Sequence, residues 1–66
     1  MLNMSETSRK FLERHFPELL KQDDLDRALL DLDAFITREG LDSNDDMTAF
    51  GHKAQTVYDD IYYSND

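Results

Sequence analysis

Four side chains near the C-terminus share a helical spacing, and their types include groups that move protons in enzymes. They follow one another at intervals of four, three and four residues: His52, Thr56, Asp59 and Tyr63. At about 100° per residue, this spacing places them on one stripe of a helix. A histidine beside a carboxylate and a hydroxyl suits acid–base chemistry. Enzyme sites are concave and partly apolar, however, whereas this stripe lies opposite the apolar seam of its helix. We therefore expect a recognition surface, with no enzyme activity and no cofactor.

The segment before that helix has part of the spacing of a calcium-binding loop. Oxygen-bearing side chains stand at its alternate positions: Asp42, Asn44, Asp46 and Thr48. Met47 occupies the position where the sharp turn of such a loop needs glycine, and Lys53 occupies the position of the bidentate glutamate. Helix capping accounts for the same residues. Weak calcium binding is therefore kept as an alternative, and we predict no specific metal site.

Negative charge is concentrated in the second part of the chain. The 66 residues include 15 acids and 7 bases, and residues 39–66 hold seven of the acids and a single base, Lys53. This surface repels a phosphate backbone, so we expect no direct contact with nucleic acid. It attracts basic proteins. A second alternative is that carboxylates imitate phosphates and inhibit a DNA- or RNA-binding protein: Asp42, Asp45, Asp46, Asp59 and Asp60. A third interpretation is that the acids only keep a small protein in solution.

Length and composition predict that residues 1–66 form one small domain. The chain contains no cysteine, so disulfides and cysteine-bound zinc are excluded. No apolar run approaches the roughly 20 residues that span a membrane. The first residues have neither the basic start nor the apolar centre of a signal peptide. We therefore expect a cytoplasmic protein that does not contact a membrane.

Three amphipathic segments predict an all-α, compact three-helix bundle. We expect helices over about 6–16, 24–39 and 45–63, a short turn at 17–21, and frayed ends at 1–4 and 64–66. Ser5 is the predicted cap of the first helix, and Pro17 ends it. Gly40 is the predicted left-handed cap after the second. Ser43 and Asp46 have the spacing of a capping box for the third.

The apolar positions of these segments predict the core. The strongest candidates are Phe11, Phe16, Leu29, Leu32, Phe35, Phe50, Val57 and Ile61. His15 lies beside this face, and we expect its ring to pack there. Tyr58 and Tyr62 are expected to cover the core, whereas Tyr63 points outward. Gly51 weakens the third helix by roughly 1 kcal/mol relative to alanine, so it either allows a close helix approach or is merely tolerated.

Two surfaces remain for partners. Leu30 lies opposite the apolar stripe of the second helix, and a chain of this size gains burial by pairing with a second copy. We predict a non-enzymatic protein-interaction module that binds a basic partner through the third helix or forms a homodimer through the second. The candidate partner-binding residues are Leu30, Asp45, Asp46, His52, Thr56, Asp59, Asp60 and Tyr63.

Overall fold

The computed structural model describes residues 2–65, which form three α-helices and one short 3-10 helix. The α-helices are α1 (Glu6–His15), α2 (Leu25–Glu39) and α3 (Ala49–Ser64), and the 3-10 turn spans Pro17–Lys21. Helix α3 packs against both α1 and α2, and the 3-10 turn packs against the same two helices. Within residues 2–65 no strand occurs beyond one isolated bridge between Leu41 and Met47. The predicted all-α three-helix bundle is confirmed.

The helix starts follow from side chains that accept the free N–H groups of each first turn. The Ser5 hydroxyl accepts from the N–H of Ser8 at 3.2 Å, as predicted for α1. The carboxylate of Asp24 caps α2, accepting from Arg27. The α3 cap is Thr48, whose hydroxyl accepts from Gly51 at 3.0 Å. The predicted start of the third helix at residue 45 is therefore wrong by four residues.

The capping box expected in residues 43–46 is replaced by a closed turn. Asp42 Oδ1 accepts the N–H groups of Asn44 at 2.8 Å and Asp46 at 3.1 Å. The backbone of Asp42 and Asp46 is also joined by a hydrogen bond, and Asp45 adopts a left-handed φ of 62°. Aspartate tolerates that conformation better than most residues. Residues 42–46 therefore satisfy their backbone hydrogen bonds among themselves, and α3 begins after them.

Most of the predicted core residues are buried. Leu29, Leu32, Phe35, Val57 and Ile61 have little exposed surface, whereas the rings of Phe11, Phe16 and Phe50 are half-buried at the core's edge. The buried set also includes Leu2, Leu12, Leu19, Ala28, Ile36 and Ala54. The His15 ring packs as expected, with its centroid 4.8 Å from that of Phe11 and 4.8 Å from that of Phe50. The Phe35 ring of α2 lies with its centroid 5.9 Å from that of Phe50, so rings of α1, α2 and α3 meet at one end of the bundle.

Two glycines allow the end of α2 to meet the first turn of α3. Gly40 has φ −99° and ψ −2°, so the predicted left-handed cap is wrong. A Cβ on Gly40 would lie 2.8 Å from the Cα of Gly51. A Cβ on Gly51 would overlap the Gly40 carbonyl oxygen. Both residues are glycine because no side chain fits between the two backbones, and of the two explanations offered for Gly51 the close approach is correct.

The ends of the described chain are held together. Leu2 is buried in the core, and the N–H of Asn3 donates to Asn65 Oδ1 at 2.9 Å. Asn65 Nδ2 donates back to the Asn3 carbonyl at 2.7 Å and also to Ile61. These contacts tie residues 2, 3 and 65 to the bundle, and the expectation that residues 1–4 and 64–66 fray stays a prediction. Residues 1 and 66 lie outside the described range.

None of the helices in residues 2–65 combines the length and the apolar character needed to cross a membrane.

Candidate interaction surface on helix α3

One face of α3 carries the four residues that the sequence spacing placed together. We call this set the α3 stripe: His52, Thr56, Asp59 and Tyr63. All four side chains are exposed, and Tyr63 keeps 74% of its surface accessible. The Thr56 hydroxyl donates to the His52 carbonyl at 3.0 Å, and Gln55 Nε2 donates to Asp59 Oδ1 at 3.3 Å. The stripe is a regular, solvent-facing helix surface whose polar groups can meet a partner.

Two tyrosine rings extend the α3 stripe at its C-terminal end. Tyr62 is 45% exposed, and its ring lies edge-on against that of Tyr63 with centroids 5.3 Å apart. The expected core-covering role of Tyr62 is therefore wrong, whereas Tyr58 is half-buried against the core as expected. Such a ring pair offers a rigid apolar surface with two polar tips. The sequence signal for it was the adjacent Tyr62–Tyr63 pair itself.

Asp60 is turned toward the protein, unlike its neighbour Asp59. Its Oδ2 accepts the backbone N–H of Ser5 at 2.8 Å, and its Oδ1 accepts the Ser64 hydroxyl at 3.4 Å. The Ser5 N–H, then the Ser8 hydroxyl, hold the pKa of this carboxyl below its ordinary value of 3.8, and burial opposes this lowering. Asp60 therefore links the N-terminus of α1 to α3 through its carboxylate, and its role in partner binding stays a prediction.

A groove runs along the seam between α1 and α3, directly beside the α3 stripe. Its volume is about 300 Å³. The lining side chains come from both helices and from the residue before α1: Ser5, Thr7, Ser8, Phe11, Lys53, Thr56, Val57 and Asp60. Thr56 belongs to both the groove and the stripe. No local spacing in the sequence predicts this concavity, because it depends on how two distant segments pack.

The remaining acidic candidates lie at the other end of α3. Asp45 and Asp46 are exposed in the closed turn before the helix. The ten residue steps from Ala49 to Asp59 alone rise about 15 Å, so these carboxylates are well separated from the C-terminal end of the stripe. Within residues 2–65, no three His, Asp or Glu side chains come together as a group able to hold a metal ion. Asp42 already uses one oxygen on two backbone N–H groups.

Leu30 forms a separate apolar point on α2. It is 63% exposed, whereas its neighbours Leu29 and Leu32 are buried. Ala34, one turn further along the helix, is also exposed. The structure therefore does not join Leu30 to the α3 stripe, because α2 packs against α3 through its other side.

No protein-family model matches the chain, and no curated protein or solved structure is similar enough to count as a match.

Proposed function

We propose that this protein is a non-enzymatic interaction module that binds a basic protein through the α3 stripe and the adjacent Tyr62 ring. The observation that carries the proposal is the exposed Tyr62–Tyr63 pair beside the carboxylate of Asp59. Tyrosine is enriched at protein interfaces because a large rigid ring buries area at little entropic cost. The excess of acids over bases in residues 39–66 steers a basic partner toward this face.

Electrostatics and ring burial have separate roles in this proposal. Within residues 2–65, Asp59 contacts Gln55 and no cation, so its charge is available to a partner. An exposed ion pair contributes only about 0.2–1 kcal/mol. Burial of a tyrosine ring contributes more, since interface anchors are worth about 2 kcal/mol or more. We therefore expect the rings to supply most of the affinity and the carboxylates to supply the association rate.

The test is a double variant, Tyr63→Ala/Asp59→Lys, used as bait in pull-downs from cells that express the protein. The matched control, Glu13→Lys, makes the same change in charge at an exposed position of α1. Partners of the proposed face are lost with the first variant and kept with the second. If the first variant retains every partner, the proposed face is wrong.

Imitation of nucleic acid has less support from the geometry. It requires five outward carboxylates, but Asp42 and Asp60 accept internal N–H groups. Binding dominated by phosphate-like charges weakens steeply as salt rises, whereas binding dominated by rings does not. A steep salt dependence of the partner complex would therefore favour imitation over the proposed ring contacts.

Self-association through α2 is the second candidate, and the exposure of Leu30 favours it. A chain of 66 residues buries a smaller fraction of its surface than a larger domain does, so a second copy adds apolar burial that one copy lacks. We propose a cytoplasmic setting for either function, since a chain without cysteine suits a reducing compartment.

A further inference from the structure

The groove between α1 and α3 has an apolar centre. Phe11 contributes a half-buried ring from α1, and Val57 contributes a buried side chain from α3. Thr7 and Thr56 stand on the two opposite walls. The Thr56 hydroxyl already donates to a backbone carbonyl, so it does not compete with an apolar occupant. A volume of about 300 Å³ accommodates one large apolar side chain.

The free charge beside this groove is a cation. Lys53 lines it and, within residues 2–65, makes no ion pair, whereas Lys10 lies 3.7 Å from Glu6. Lys53 is also the only base in residues 39–66. Asp60, at the other end of the groove, is held by the start of α1. An occupant of the groove therefore meets an unpaired ammonium group at one end and a carboxylate already in use at the other.

We propose that the α1–α3 groove takes an amphipathic helix of a basic partner, which inserts one apolar side chain between Phe11 and Val57 and places a single carboxylate against Lys53. This inference rests on the proposed function and names the chemistry of its partner. Basic groups on the same helix face Asp59 on the α3 stripe, which borders the groove through Thr56. Lys53 and Asp59 are six residues apart, a rise of about 9 Å. An acid and a base six residues apart on a partner helix have the same rise.

A helix is the appropriate occupant because the groove is a furrow between two helices. Apolar side chains spaced along one face of a helix commonly fill such furrows. The opposite charges of Lys53 and Asp59 then determine which way the partner helix runs. The single acid of the partner is the distinguishing feature, since the net charge of −8 on this protein would otherwise select basic residues throughout.

The test is selection from a displayed library of short helical peptides with randomised positions, using the full chain as bait. We expect the wild-type protein to select basic peptides that carry one apolar anchor and one acid about a helical turn from that anchor. The variant Lys53→Glu selects a base in place of that acid. The control Lys21→Glu makes the same change in charge on the exposed 3-10 turn and keeps the acid. A peptide selected on the wild type binds Lys53→Glu about tenfold more weakly, since reversal replaces an attraction by a repulsion.

Chemical-shift mapping with the selected peptide locates the binding site, and the expected changes centre on Phe11, Thr56 and Val57. The proposal is overturned if no peptide is enriched, if the shifts lie elsewhere, or if Lys53→Glu and Lys21→Glu select the same peptides.

The two proposals fail differently. If Tyr63→Ala/Asp59→Lys abolishes peptide binding and Lys53→Glu leaves it unchanged, the proposed function stands and the groove assignment falls. If neither variant alters binding, both fall. Lys53 is exposed, and equal helical circular dichroism confirms that its variant folds.

Discussion

Replacement of Gly51 by alanine tests the contact that sets the position of α3 on α2. Helix propensity alone predicts that this change stabilises the protein by about 0.8–1 kcal/mol, because glycine is the poorer helix former. The structure predicts the opposite sign. The added Cβ would overlap the Gly40 carbonyl oxygen and would lie 2.7 Å from Met47 Cγ and 3.0 Å from the Gly40 carbonyl carbon.

The magnitude follows from which of these atoms can move. The Met47 side chain is flexible and can turn away, but the Gly40 carbonyl is backbone. That carbonyl also accepts the Thr48 N–H at 2.9 Å and the Thr48 hydroxyl at 3.0 Å, so moving it weakens the cap of α3. Overpacking costs typically 1–3 kcal/mol, and each weakened hydrogen bond costs up to about 1 kcal/mol. After the propensity gain is subtracted, we expect a net loss of about 2 kcal/mol.

Urea and thermal unfolding, monitored by far-ultraviolet circular dichroism, measure this change. For a chain of this length, 2 kcal/mol lowers Tm by roughly 10 °C. The control is Thr56→Ala at an exposed position of the same helix, which should raise stability by a few tenths of a kcal/mol. If Gly51→Ala is as stable as the wild type or more stable, α2 and α3 do not meet at these glycines and the packing described above is wrong.

Three further predictions concern acid stability, oligomeric state and calcium. Asp60 has a lowered pKa, so its charged form stabilises the folded state. This contribution to the free energy of unfolding is present above pH 3.8, the ordinary pKa, and is lost as the pH falls through the folded-state pKa. Asp60→Asn should therefore cost about 1 kcal/mol in urea unfolding at neutral pH, and this cost should shrink as the pH falls below 3.8. Leu30→Asp should shift any dimer seen in sedimentation equilibrium toward monomer, and an unchanged association constant would remove α2 as the contact. Because Asp42 Oδ1 already accepts two N–H groups, calcium should give no saturable amide shifts confined to residues 42–48, and such shifts would contradict the closed turn.

Local sequence patterns sufficed for the helices and for much of the core. The spacing of Leu29, Leu32 and Phe35 records one buried face of α2, because residues three and four apart lie on the same side of a helix. Ser5 could be named as a cap from its position before the first apolar turn. The exposure of Tyr63 followed from the same helical period. Each of these features depends on residues within about two turns of one another.

Contacts between distant residues were not predictable in this way. Asp59 and Asp60 are chemically identical neighbours, yet one faces solvent and the other accepts the N–H of Ser5, 55 residues away. Leu2 is buried although it lies outside every periodic segment. Helix α3 starts later than predicted because Thr48 is its cap. The Thr48 hydroxyl donates to the carbonyl of Gly40, which only a close helix approach brings within reach.

The sequence by itself determined that three amphipathic helices form, which of their faces are apolar, and that residues 39–66 carry a strong excess of acids, since helical period and charge are properties of neighbouring residues. The tertiary structure alone decided the contact between Gly40 and Gly51, the inward turn of Asp60 and the groove beside Lys53. These features arise where segments far apart in the chain pack together. Their geometry depends on the angle and depth at which the helices meet, and no local spacing encodes either quantity.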